Sequence, residues 1–212
     1  MNPASVSPLL VVRSLSFAYP GRPALLSAWN ASVGAGVTQI HSDDGSGKST
    51  LLRLLAGKLR GEGQLDLAGA RLDEDRDAYA RNLFFVDPET DAFNEIPATQ
   101  CTASLSAGDP GFDASKWQAL VEGFSLTPHL EKPMYMLSTG SKRKVWLAAA
   151  LASGRALILL DEPTAALDAN SIRCLWRTLS ESAGRSDRAI VIASAERIEA
   201  VPLAGLIELP SS

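Results

Sequence analysis

The stretch of sequence that decides the fold is Ser42–Thr50, which reads SDDGSGKST. The short run Val37–Ile40 precedes it with the character of a strand, and Leu51–Ala56 follows it with the composition of a helix. A glycine-rich loop between a strand and a helix is the context of a phosphate-binding P-loop, although such loops also occur as surface linkers. The predicted nucleotide-binding residues of the loop are Asp44, Gly45, Ser46, Gly47, Lys48, Ser49 and Thr50.

Two side chains of this loop would contact a triphosphate and its metal ion directly. Lys48 would place a cation at the β- and γ-phosphates, and the Ser49 hydroxyl would be a ligand for Mg²⁺. Backbone N–H groups at the start of the following helix would add positive potential. Ser42 departs from the pattern, since it occupies the position of the first glycine. The rest of the chain therefore decides between a phosphate site and a linker.

Composition and charge argue against several classes of protein. A chain of 212 residues with 21% charged side chains indicates one globular domain with room for a buried core. The net charge of −4 disfavours direct binding of DNA or RNA. No apolar run approaches the roughly 18 residues of a membrane helix, and no signal-peptide pattern opens the chain, so a cytoplasmic location is expected. Cys101 and Cys174 lack a metal-binding spacing and are expected to be reduced, structural thiols.

Strand-like and helix-like segments alternate along the chain. Strands are predicted at residues 9–19, 27–33, 37–41, 64–67, 83–86, 157–160 and 189–193. Helices are predicted at residues 49–59, 114–122, 140–152 and 170–181. This alternation favours a parallel sheet covered on both faces. Residues 87–133 are polar and interrupted by proline and glycine, which indicates a helical insertion.

A second candidate for nucleotide chemistry lies at residues 157–162, which read LILLDE. Four apolar residues followed by two carboxylates place Asp161 at the carboxyl end of a buried strand, where open α/β sheets bind their ligands. Asp161 could hold Mg²⁺ through water, while Glu162 could polarise a water for attack on the γ-phosphate. A strand that ends in a solvated acidic turn would give the same pattern. The P-loop upstream favours the first interpretation.

Three motifs in succession resemble those of the ATP-binding cassette (ABC) ATPases. Residues 137–144 (LSTGSKRK) are similar to the signature, residues 157–163 (LILLDEP) to the Walker B motif, and residues 166–168 (ALD) to the D-loop. The resemblance runs from the first strand to about residue 196, and it places Tyr19 where that family stacks an aromatic ring on adenine. It implies an α/β fold: a P-loop NTPase core with a mainly parallel sheet and flanking helices, an antiparallel β part at the N-terminal side and a small helical insertion.

The resemblance also implies cofactors, partners and roles. ATP and Mg²⁺ would be the cofactors, Glu162 the catalytic residue, and Ser49, Asp161 and Asp87 the metal-binding residues. Such ATPases hold two ATP molecules between two subunits arranged head to tail. Ser138 and Gly140 would then reach the γ-phosphate bound by the second cassette, although the same serine could simply cap the helix that follows. The expected partners are a second cassette, as a homo- or heterodimer, and a membrane-spanning permease, which would keep the chain peripheral on the cytoplasmic face of the membrane.

Four positions around the nucleotide depart from the family pattern. Ser42 replaces a glycine, and Asp44 stands where the family usually has asparagine. Asp87 lies in the Q-loop segment, which has no glutamine, and Ala195 stands where a switch histidine is expected. Because phosphoryl transfer depends on positioning and electrostatics, these losses predict slow hydrolysis with ATP binding retained.

The leading hypothesis is therefore an ABC transporter ATPase subunit that binds Mg-ATP and couples slow hydrolysis to a separate permease. The alternative is a catalytically degenerate cassette that senses ATP as a regulatory or heterodimer partner. A cassette protein of DNA repair or translation is disfavoured, because the chain has no long coiled-coil insertion and no second cassette and is acidic. In the expected division, residues 1–86 and 154–212 form the two parts of the ATP-binding core, and residues 87–153 form the helical signature subdomain.

Overall fold

Two β-sheets form the framework of the computed structural model, which describes residues 7–42 and 45–209. The antiparallel sheet has the order β2-β1-β4-β5 and consists of β1 (Leu10–Ala18), β2 (Ala24–Val33), β4 (Glu62–Leu67) and β5 (Ala70–Arg71). The parallel sheet has the order β6-β7-β8-β3-β9 and consists of β3 (Gly36–His41), β6 (Leu83–Phe85), β7 (Leu157–Asp161), β8 (Ala189–Ser194) and β9 (Gly205–Glu208).

Helices cover this framework. The described α-helices are α1 (Lys48–Leu55), α2 (Arg76–Arg81), α3 (Ala98–Ser106), α4 (Ala114–Gly123), α5 (Thr139–Ala152) and α6 (Ala169–Ser182). Short 3-10 turns occur at Thr127–His129 and Met134–Met136. Within the described part of the chain, no helix has the length and apolar character needed to cross a membrane. The parallel sheet, its helices and the N-terminal antiparallel sheet confirm the predicted α/β fold class with a helical insertion.

The parallel sheet carries a hydrophobic core on each face. Side chains of a strand alternate between faces, so Leu157 and Leu159 enter one core while Ile158 and Leu160 enter the other. The first core joins α1 to the antiparallel sheet, and the second joins α3, α4, α5 and α6 to the parallel sheet. Strands buried on both faces read as continuous apolar runs, which is why 157–160 and 189–193 were predictable.

The candidate site lies at one edge of the parallel sheet. β3 pairs with β8, and β8 pairs with β7, all in parallel. The carboxyl ends of these strands therefore meet at the same edge. That edge carries the glycine loop after β3, the two acids at the end of β7 and the segment after β8, although the three are far apart in sequence.

Several elements were not predicted, and each has a weak local signal. α3 is rich in serine and threonine, which are poor helix formers, and it is stabilised by burying Ala98 and Cys101. α2 is too short to show a helical period, and the Asp75 side chain caps it. β9 is an edge strand whose side chains alternate in exposure. α1 ends at Leu55, earlier than predicted, because Gly57 has a positive φ of 64°.

Candidate functional site

The glycine loop delivers the start of α1 to the edge of the sheet. Gly45 and Gly47 have φ values of 78° and 95°, which glycine adopts without strain. Gly47 is the N-cap of α1, and no side chain of the described residues caps the helix there. The first N–H groups of a helix have no partner within it, so an uncapped start is suited to an anion. Asp44, predicted to bind nucleotide, lies outside the described residues.

Lys48 connects the glycine loop to the end of β7. Its side chain is 6% exposed, and its Nζ donates a hydrogen bond to the Ser42 carbonyl oxygen at 2.7 Å. The same Nζ lies 3.7 Å from Glu162 Oε1. The Ser42 hydroxyl, at the position of the expected glycine, donates to the carbonyl oxygen of Leu209 at 3.3 Å. The structure thus brings Lys48 and Glu162 together across 114 residues of sequence.

Asp161 is a partly buried carboxylate beside the start of α1. Burial raises the pKa of Asp161, while a hydrogen bond with Ser49 acts in the opposite direction. Among the described residues, its buried Oδ1 atom has no hydrogen-bond partner. A buried acceptor without a partner is unfavourable unless a ligand or ion satisfies it. Ser49 and Asp161, both predicted metal-binding residues, are therefore neighbours, and Asp161 Oδ1 is the acceptor that lacks a partner among the described residues.

Glu162 has a strained backbone that several contacts stabilise. Its φ is 41°, in the left-handed region where a residue other than glycine costs about 1–3 kcal/mol. Its N–H donates to the Ala193 carbonyl oxygen at 2.9 Å. Arg143, from α5, donates to the carbonyl oxygens of both Asp161 and Glu162. Burial lowers the pKa of Arg143, and the two neighbouring acids partly offset this effect. Such strain concentrates at functional sites.

The segment after β8 holds the Glu162 side chain. Ala195, whose apolar side chain stands where a switch histidine is expected, donates its backbone N–H to Glu162 Oε1 at 2.9 Å. A backbone donor has no signature in the sequence, so this contact could not have been predicted. Arg143 lies within the motif that resembles the signature, but nothing in the sequence indicates its contact with residues 161 and 162.

Tyr19 lies beside the first turn of α1. Its hydroxyl and that of Thr50 are 3.1 Å apart and share a hydrogen bond. The residue is 40% exposed, and its ring contacts Phe17 edge to face, with ring centroids 4.9 Å apart. Tyr19, predicted to stack on adenine, is thus a partly exposed aromatic residue beside the start of α1.

The residues of the signature-like motif make contacts of their own. Ser138 is the N-cap of α5, where its side chain accepts a hydrogen bond from the Ser141 N–H at 3.1 Å. Gly140 packs so closely on Ala166 that a Cβ atom would collide with the Ala166 carbonyl oxygen. Among the described contacts, neither Ser138 nor Gly140 touches the glycine loop of the same chain.

Asp168 caps α6 and also binds α5. It accepts from the Ser171 N–H at 2.9 Å and lies 2.5 Å from Lys144 Nζ. The hydrogen bond from Lys144 has the largest effect, and together with those from Ser171 it holds the pKa of Asp168 well below its usual range.

Asp87 is bound to an arginine of α1. Arg53 donates to the two carboxylate oxygens at 2.7 and 3.1 Å, and it also contacts Glu89 at 2.7 Å. The Arg53 hydrogen bond lowers the pKa of Asp87. Asp87 also contributes to the raised pKa of Asp161, so the two acids influence each other. The carboxylate predicted to ligate a metal is thus engaged in a bidentate ion pair.

Comparison with known proteins identifies relatives for most of this chain. A family model described as ABC transporter matches residues 31–165. The cytochrome c biogenesis ATP-binding export protein CcmA of Cupriavidus pinatubonensis is 32% identical, over 85% of this chain and 80% of that protein. The zinc import ATP-binding protein ZnuC of Halorhodospira halophila is 29% identical, over 90% and 69% of the two chains. A solved structure described as an ABC transporter ATP-binding protein of Pyrococcus furiosus has a TM-score of 0.74 at 22% identity, covering 94% and 96%.

Proposed function

The chain belongs to the ABC transporter family as an ATP-binding subunit that uses ATP and Mg²⁺, and we propose that Lys48, Ser49 and Asp161 hold Mg-ATP while Glu162 promotes its hydrolysis. The observation that carries this assignment is the 3.7 Å approach of Lys48 Nζ to Glu162 Oε1. This distance supports the proposal because the lysine proposed to bind phosphate and the candidate base lie side by side.

The residues present fit both cofactors. The uncapped start of α1 at Gly47 offers N–H donors to phosphate oxygens. The buried Oδ1 of Asp161 has no partner in the described part of the chain, and Mg²⁺ favours carboxylate and hydroxyl oxygens. Bound Mg²⁺ would neutralise charge on the phosphates. Tyr19 would cover the base from one side.

Glu162 would act on the attacking water, while Arg143 and Ala195 would hold Glu162 in place. Its backbone is fixed by Arg143 and its carboxylate by the Ala195 N–H at 2.9 Å. A carboxylate in a fixed orientation can accept the proton of a water that lies within hydrogen-bond reach. We expect turnover to be slow, because Ala195 brings no side-chain donor and Asp87 is engaged by Arg53. Slow turnover differs from the alternative of a degenerate sensor, which the family relationship does not favour.

The site is completed by a second cassette in this proposal. Ser138 and Gly140 would act on the nucleotide of the partner subunit, and Asp168 would lie near the contact. Residues 87–153 would form the subdomain that carries these residues and faces a membrane permease. The chain would then work at the cytoplasmic face of the membrane.

Isothermal titration calorimetry with Mg-ATP tests the assignment of the loop. Lys48→Met should weaken ATP binding at least about tenfold, since a charge-assisted hydrogen bond contributes about 1.5–3 kcal/mol. Lys132→Met, at an exposed lysine remote in sequence from the loop, is the matched control and should bind as the wild type does. Absence of heat on titrating wild-type protein with Mg-ATP, or equal affinities for the two variants, would contradict the assignment.

A further inference from the structure

Gln39 is a buried carboxamide in the central strand β3. It is 1% exposed and lies on the same face of the strand as Val37, which belongs to the core that contains Ile192. Burying an amide in such surroundings is unfavourable unless both its donor and its acceptor are satisfied. An apolar residue would be the ordinary choice at this position, so the contacts of Gln39 call for an explanation.

Both ends of the Gln39 amide bind the segment that follows β8. Its Nε2 donates to the Glu196 carbonyl oxygen at 2.7 Å, and its Oε1 accepts from the Ile198 N–H at 3.1 Å. The Ser194 hydroxyl donates to the same Glu196 oxygen at 2.9 Å. These hydrogen bonds therefore fix the backbone of residues 194–198 from the interior of the sheet.

The segment of residues 194–198 includes the backbone N–H that binds Glu162, the candidate base. Ala195 lies between Ser194 and Glu196, and its N–H donates to Glu162 Oε1 at 2.9 Å. The direction of a backbone N–H depends only on the path of the chain. A change in the backbone path of residues 194–198 would therefore also move the Ala195 N–H away from Glu162.

We propose that Gln39 is a positioning residue for Glu162: its carboxamide fixes residues 195–198 and so holds the Ala195 N–H against the Glu162 carboxylate. The proposal rests on the proposed function for the role of Glu162 in hydrolysis. It explains why a glutamine is buried here: the methyl side chain of Ala195 cannot hold the Glu162 carboxylate, so the backbone N–H of Ala195 must be kept in position. Gln39 acts through this segment, since its described hydrogen bonds go to residues 196 and 198.

Gln39→Met tests the proposal, since it keeps the volume and removes both hydrogen bonds. We expect kcat for ATP hydrolysis to fall about tenfold while KM for ATP changes less than twofold, because the described hydrogen bonds of Gln39 go to residues 196 and 198 and reach neither Lys48 nor Tyr19. Thr38→Val is the matched control. Thr38 is the neighbouring buried polar residue of β3, on the opposite face, and its replacement should leave kcat and KM unchanged. Gln39→Leu, which also removes both hydrogen bonds, should lower kcat in the same way and serves if the methionine variant does not fold.

Hydrogen exchange of the Ala195 N–H, followed by NMR, provides a readout that does not depend on activity. In Gln39→Met it should exchange at least about tenfold faster than in wild type, while amides of β7 keep their protection. Unchanged Ala195 exchange, or a kcat equal to that of Thr38→Val, would overturn the proposal. A wild-type protein without ATP turnover would contradict the proposed function instead, and the exchange measurement would still decide whether Gln39 holds Ala195.

Discussion

Replacing Gly140 with alanine should destabilise the protein by about 2 kcal/mol. A Cβ atom at this position would lie within 3.0 Å of the Ala166 carbonyl oxygen and 3.4 Å from its carbonyl carbon. Alanine would gain about 1 kcal/mol in helix propensity over glycine within α5. Overpacking typically costs about 1–3 kcal/mol, and the upper end applies because the obstacle is backbone. Ala166 is itself held at a φ of 61°, so it has little freedom to move aside.

Urea unfolding at equilibrium measures this effect, and Gly184→Ala is the matched control. A Cβ at Gly184 would meet nothing within 4 Å, and its φ is outside the left-handed region. That variant should be neutral or stabilised by up to about 1 kcal/mol. In thermal unfolding, Gly140→Ala should lower Tm by about 4–8 °C. A Gly140→Ala protein as stable as Gly184→Ala would refute the view that contact with Ala166 requires glycine here.

Two further predictions concern the acids of the site. Asp161→Asn should lower Mg-ATP affinity at least about tenfold, yet leave the metal-free protein at least as stable as wild type at pH 7. Burial raises the folded pKa of Asp161, so ionisation of this residue lowers the free energy of unfolding of the wild type increasingly as pH rises from about 4. Urea unfolding of both proteins at pH 4 and pH 7 should therefore show that the variant gains stability relative to wild type at the higher pH. A variant less stable than wild type at pH 7 would contradict this. Arg53→Met should lower the free energy of unfolding at pH 7 by about 1–2 kcal/mol, because the pair with Asp87 is only 23% and 29% exposed. Arg53 lowers the folded pKa of Asp87, so this stabilisation is present above about pH 4 and is lost as pH falls through the lowered pKa. Arg185→Met, which removes the exposed pair with Asp187, should change stability by less than about 0.5 kcal/mol, and equal losses in the two variants would count against the role of burial.

The buried strands, the glycine loop and the two acids after β7 could be predicted because their sequence signals are local. Residues 157–160 form a continuous apolar run followed by Asp161 and Glu162, and this pattern alone fixes the acids at the end of a buried strand. The glycines of the loop likewise indicate a turn before α1 from the local sequence alone. Helix α3 has no such signal, since its sequence is rich in serine and threonine and its buried residues, Ala98 and Cys101 among them, pack against the core.

The contacts that shape Glu162 could not be predicted from the sequence. The Ala195 N–H is a backbone group, and its position depends on the pairing of β8 with β3. The Arg143 contact joins residues 18 and 19 positions apart through the packing of α5. Gln39 looks like an ordinary strand residue until its partners, 157 and 159 positions away, are known. Long-range contacts of this kind exist only in the folded chain.

The most direct test of the account is the ATPase rate of Glu162→Gln. We predict that the variant binds Mg-ATP with an affinity close to that of wild type, because Lys48, Ser49 and Asp161 are intact, while its turnover falls by a factor of at least about 100. A size-exclusion run with ATP should show it accumulating as an ATP-bound dimer. A Glu162→Gln protein that hydrolyses ATP at the wild-type rate would contradict the assignment of Glu162 as the residue that promotes hydrolysis.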